Sequence, residues 1–195
     1  MPILGTLLRN RRPAESAYAW NQANLTGPET LTLTSQDFTD AGTLPTRHSG
    51  TRVDGENISP HLAWSTPPEG AAELLLLVED VDVPLGSRPA VHCLAVIDDA
   101  RRAKPHELAA GALGKNAPAP GVTLLRSFIG RGYHGPEPLK GHGPHRYVFE
   151  LYALGESLLG RPDRDALIKA RPRRLLDSLD VPVLARGRIT GISER

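Results

Sequence analysis

ELLLLVED, residues 73–80, and AVHCLAVI, residues 90–97, are two nearly continuous apolar runs separated by a short proline-containing loop. Runs this short and this apolar predict central β-strands covered on both faces, since a strand with one wet face would alternate. Outward from them, further strands are expected at 30–35, 62–65, 122–127, 146–154 and 184–192. In 146–154, Tyr147, Phe149 and Leu151 should share one face, with Arg146, Val148 and Glu150 on the other. Glycine (19) and proline (18) lie between these short runs, the punctuation of a loop-rich, mainly β chain. Helical signal is late: PDRDALIKA (162–170), with Asp163 as N-cap, and RRLLDSL (173–179). Residues 1–28 show no readable period and are taken as an N-terminal extension, with residues 29–195 as the domain proper.

The bulk numbers exclude several classes. A net charge of +1 offers no global attraction for nucleic acid. A single cysteine, Cys93, excludes an intrachain disulfide and a cysteine-built zinc knuckle. No apolar run approaches the roughly 20 residues of a membrane span. MPILGTLL is followed by Arg9, Arg11 and Arg12 rather than preceded by basic residues, so it reads as a poor signal peptide. The expected location is cytoplasmic. No P-loop, dinucleotide fingerprint or nucleophile–base pair is present, so no cofactor is implied.

Three stretches set polar residues beside the strands. In EDVDVP (79–84), Asp80 and Asp82 are two apart and would point to one side of an extended backbone; singly, they read as caps of the following loop. His92 interrupts an apolar strand and, alone, reads as a satisfied core histidine. Its neighbour Cys93 should face the opposite side, which disfavours a Cys–His pair. In GHGPHRY (141–147), His145 and Tyr147 share a side if the strand begins at 145, and His142 sits on the glycine-flanked loop before it.

Taken together, DGENISPHLAWSTPPEG (54–70), LLLVEDVDVP (75–84), VHCLAV (91–96) and GYHGPEPLKGHGPHRYVFELYAL (132–154) resemble the phosphatidylethanolamine-binding protein family, which includes the Raf kinase inhibitor proteins and small bacterial relatives. The resemblance covers about 31–192. It implies a large central antiparallel sheet packed with a smaller one, and short helices near the C-terminus. It also implies a small surface cavity for an anion or phosphorylated head group, walled by Asp80, Asp82, Pro84, His92, His145 and Tyr147, with Gly135 and Pro136 closing the rim. Gly55, Asn57, Ser59, Pro60 and Trp64 match a structural signature.

Imidazole and phenol groups can donate to anionic oxygens, and carboxylates that raise the imidazole pKa would favour binding as pH falls. The family's pattern has an alanine–proline-rich DPDAP where DVDVP stands here, and an aromatic where Cys93 stands. Glu137, near the mouth, would repel phosphate and favour an amine-bearing head group. The leading expectation is therefore a non-enzymatic binding protein, with control of a kinase, a protease or another protein partner as the role the resemblance allows. The rival is a metal-dependent hydrolase with Asp80, His92, His142 and His145 as ligands. A third reading makes residues 1–28 an arm across a homodimer.

Overall fold

The structure, a computed structural model, describes residues 3–98 and 106–195. It is built mainly of strands: β1 (Leu33–Thr34), β2 (Gly42–Thr43), β3 (Leu62–Trp64), β4 (Glu73–Asp80), β5 (Ala90–Ile97), β6 (Glu107–Leu108), β7 (Val122–Leu124), β8 (His145–Leu154) and β9 (Val183–Ser193). Short helices are α1 (Ile3–Leu8), α2 (Arg164–Lys169) and α3 (Pro172–Asp177). Six strands form the large sheet in the order β2-β9-β8-β4-β5-β7, and β1-β3-β6 form the small one. All pairings are antiparallel except the edge pair β2–β9.

The apolar runs behave as their composition requires, because neither face of the central strands meets water. Leu74, Leu76 and Val78 of β4, with Ile97, Phe149 and Leu151, pack against Leu33, Leu62, Trp64 and Leu108 of the small sheet. Leu75, Leu77, Leu94, Val96, Tyr152 and Leu154 face the other way, against Leu175 and Leu176 of α3 and against Trp20 and Leu25. Those last two belong to the N-terminal segment that showed no period. Single-turn helices and extended linkers carry it across the sheet, so its apolar residues follow the terrain beneath rather than a repeat. Arg186 of β9 fastens it, donating to the Trp20 carbonyl (2.7 Å) and lying over the indole ring (3.9 Å).

The differences from expectation are local. The strand expected at 30–35 shrinks to Leu33–Thr34, and 122–127 to Val122–Leu124. The two-residue strands β2 and β6 are too short for alternation to reveal. Asp163 does precede α2, but its side chain makes no capping bond; the carboxylate lies beside Arg161 (3.4 Å) instead.

Candidate functional site

The polar residues gather where β4, β5 and β8 end together. Asp80 closes β4 and pairs directly with Tyr147 across the ladder, so the two side chains stand side by side. His145 opens β8, two residues before Tyr147 on the same face, with the rings stacked at 6.5 Å. His92 arrives by a different device. The β4–β5 register runs Val78 to Cys93 and then Glu79 to Val91, skipping His92. This β-bulge breaks the alternation: Val91 and Cys93, two apart, fall in opposite cores. His92 is thereby aimed at Tyr147, edge to face at 5.1 Å, on the side that Cys93 also occupies. The expected opposition of His92 and Cys93 is thus overturned by one inserted residue. Burial pushes the Cys93 thiol up to about 12, so it stays a protonated packing group.

Between these strand ends lies a cavity of about 290 Å³. Asp80, Pro84, His92, His145 and Tyr147 line it, joined by His134, Glu137 and a rim that includes Leu4, Arg52, Leu85, Phe128 and Ile129. His92 is clamped by the backbone of His134: its Nδ1–H donates to the His134 carbonyl (2.7 Å), while the His134 N–H donates to the His92 carbonyl (2.9 Å). With Nδ1 engaged, Nε2 is the ring nitrogen left for a ligand, an acceptor in the neutral ring and a donor only in the charged one. Burial lowers the His92 pKa against the opposing pull of Asp80. The expectation that the carboxylate raises it is therefore corrected, because desolvation outweighs the neighbouring charge. His134 is lowered for the same reason, against the pull of Glu137.

Asp80, His145 and His142 form a chain of hydrogen bonds. Asp80 Oδ2 meets His145 Nδ1 (2.8 Å), His145 Nε2 meets His142 Nδ1 (2.8 Å), and His142 Nε2 meets the Arg11 carbonyl (3.1 Å). These links tie the end of β4 to the 139–142 loop and to the N-terminal segment. The last acceptor belongs to the N-terminal segment, which also seats α1 on the 139–142 loop. A Cβ on Gly5 would overlap the Lys140 carbonyl, so glycine alone permits that approach. This contact brings Leu4 to the cavity, although no period or motif marks it.

Three residues expected at the wall or rim do not line the cavity. Asp82 follows the strand end, where the chain turns through an Asp82 N–H bond to Asp80 Oδ1 (2.9 Å). Its carboxylate goes instead to Arg146, meeting Nε (2.8 Å), Nη2 (2.9 Å) and the backbone N–H (2.8 Å). Same-side geometry holds only while the backbone stays extended, and here it does not. Gly135 lies behind the rim, its N–H bonded to Asn57 Oδ1 (2.7 Å), and the Pro136 carbonyl accepts from Gly50 (3.0 Å). They shape the turn that presents His134 and Glu137. The Glu137 carboxylate stands 3.6 Å from Arg52 and 3.9 Å from His134.

The metal-ligand alternative finds no support in the same geometry. Among the described residues no three His, Cys, Asp or Glu side chains converge on a metal position. The nitrogens of His142 and His145 that would have to turn toward an ion are bonded to each other and to their neighbours.

Known proteins share this sequence and fold. The sequence profile described as phosphatidylethanolamine-binding protein matches residues 34–194. UPF0098 protein YbhB of Escherichia coli is 36% identical over 127 residues, 64% of this chain and 78% of that protein. A UPF0098 protein of Methanothermobacter thermautotrophicus is 31% identical over 167 residues, 85% of this chain and 99% of its own length. The crystal structure of Escherichia coli YbcL, described as a member of the mammalian PEBP family, superposes with a TM-score of 0.69 at 27% identity, covering 85% of this chain and 98% of that one. The profile match spans all the strand ends that build the cavity, and the chain belongs to the phosphatidylethanolamine-binding protein family.

Proposed function

We propose that the protein is a non-enzymatic binding protein whose cavity holds a phosphorylated, amine-bearing head group. The observation that carries this reading is the pairing of His92 Nε2 at the cavity with the Glu137 carboxylate at its edge. Protonated His92 donates to a phosphate oxygen, while Glu137 faces the ammonium. Glu137 already stands 3.6 Å from the Arg52 guanidinium, so the ammonium would share that carboxylate. His145 is bonded at both ring nitrogens, and Tyr147 stands beside Asp80 across the β4–β8 ladder. They brace the floor rather than react, which fits binding without covalent chemistry.

The test uses glycerophosphoethanolamine, whose phosphodiester and amine hold their charges across the range studied. Because the folded His92 pKa lies below its ordinary value, affinity should rise as pH falls and still be rising below about 6.5. Titration calorimetry between about pH 8 and pH 5 reads this, and His92→Gln should flatten the profile. An affinity that is flat in the unmodified protein, or strongest in alkali, would refute the reading.

A further inference from the structure

The two short helices near the C-terminus do not run on into each other. Ala170 and Arg171 between them are extended, with ψ of 149° and 138°. Arg171 precedes Pro172, whose ring bars the helical backbone from the residue before it. α3 then starts afresh at Pro172, where a missing N–H costs nothing. The break leaves a groove of about 650 Å³ between α2, α3 and the chain that follows β8, and none of its lining residues belongs to the cavity at the strand ends.

The floor of this groove is aliphatic. Leu158, Leu175 and Leu179 are buried in the second core, and Leu167 of α2 packs against it half-buried. The rim is cationic. Arg126 beyond β7, Arg161, Lys169 at the end of α2, Arg171 and Arg174 stand against the carboxylates of Asp163 and Asp180. Arg161 engages both carboxylates, at 3.4 Å and 2.6 Å. Arg126, Lys169, Arg171 and Arg174 are exposed and make no ion pair among the described residues. The whole chain carries a net charge of only +1, so this excess is local to the groove. Gathering these cations costs mutual repulsion that an anionic occupant would relieve.

A cationic rim alone would be a solvated surface. Apolar anchor pockets beneath an arginine cluster are what recognition of an acidic peptide requires. Among the described residues no aromatic side chain lines the groove, so nucleic-acid bases would find nothing to stack on. The unpaired cations come from β7, the α2–α3 link and α3, which suits carboxylates spaced along a chain. We propose that this groove docks a short acidic segment of a partner protein. Aliphatic side chains of that segment sit on the floor made by Leu158, Leu167, Leu175 and Leu179, and its carboxylates meet the rim. The docking is independent of what the cavity at the strand ends holds.

The experiment is fluorescence anisotropy of the full chain with a labelled peptide of about twelve residues, glutamates interrupted by a pair of leucines one helical turn apart. The unmodified chain should bind it, less so as salt is raised. A companion peptide with serine in place of leucine should bind about ten-fold more weakly or worse, the loss expected when a leucine side chain is no longer buried. Arg126→Glu and Arg171→Glu, at exposed positions on different segments, should each weaken binding about five-fold. Arg9→Glu and Lys140→Glu make the same charge change at exposed positions outside the groove and should leave it unchanged. Arg171→Glu should leave glycerophosphoethanolamine binding intact, so failure of one reading is separable from failure of the other. The proposal is overturned if the leucine–glutamate peptide does not bind, if the serine peptide binds as tightly, or if the groove variants weaken binding no more than the distant ones. It is equally overturned if single-stranded oligothymidylate or dodecanoate binds in the peptide's place and Arg171→Glu abolishes that binding, which would assign the groove to nucleic acid or to a small amphiphile.

Discussion

Asp82 is a buried carboxylate that ties down Arg146 beside a cavity it does not line. It is 1% exposed and takes a fork of bonds from Arg146, with Arg12 at 3.5 Å. Burial alone would raise its pKa; the Arg146 side chain and N–H and the Arg12 charge outweigh that, and it sits below the ordinary carboxylate value. A folded pKa lowered in this way contributes stability above the unfolded value, and that contribution is lost as pH falls through the folded one. Asp82→Asn should therefore destabilise the protein by about 2 kcal/mol at neutral pH, with the half-exposed Arg146 limiting the loss. The gap from the unmodified protein should close below about pH 3.8, as urea titration at several pH values would show. At this scale residue type is legible throughout and direction only where the strand is regular: alternation places His145 and Tyr147 on one face, while the turn that diverts Asp82 and the bulge that aims His92 leave no periodic signal.

The strand pair β4–β8 carries a second acidic cluster on its opposite face. Glu79 accepts from the Ala19 N–H (3.0 Å) and from Arg173 (2.5 Å), while Glu150 accepts from the Tyr152 hydroxyl. Alternation along 146–154 placed Glu150 opposite Phe149, and it lies there, wholly buried. Burial first, and then the Glu79 charge, hold the Glu150 carboxyl well above its usual range. A carboxyl raised by folding contributes stability below its unfolded pKa and loses that contribution as pH rises. Glu150→Gln, which keeps an acceptor for Tyr152, should gain stability relative to the unmodified chain as pH rises from about 4.5 to 8. Differential scanning calorimetry should show the Tm difference moving in favour of the glutamine variant; a constant difference would contradict an ionisation penalty at this position.

For the molecule as a whole, the N-terminal segment is a structural strap as well as a part of the site. Trp20 and Leu25 are buried in the second core, Ala19 bonds Glu79, and the Arg11 carbonyl ends the histidine chain. Removing residues 1–28 should cost on the order of 4 kcal/mol from the lost Trp20 and Leu25 burial, before counting the uncovered Glu79. Denaturant unfolding of the shortened chain reads this; stability unchanged from the full chain would show that the strap is dispensable. No helix among the described residues is long and apolar enough to cross a membrane.

The sequence by itself determined the two covered strands at 73–80 and 90–97, the mainly β class, and the motifs that carry the family resemblance. Local composition and period suffice for these, because each depends on residues adjacent along the chain. Tertiary structure alone decided which way His92 points, that Asp82 leaves the cavity for Arg146, and that α1 borders the opening. Each of those outcomes rests on partners distant in sequence, such as Arg11 and His142, 131 positions apart. Burial and hydrogen-bond satisfaction between such partners are set only when the sheet has closed.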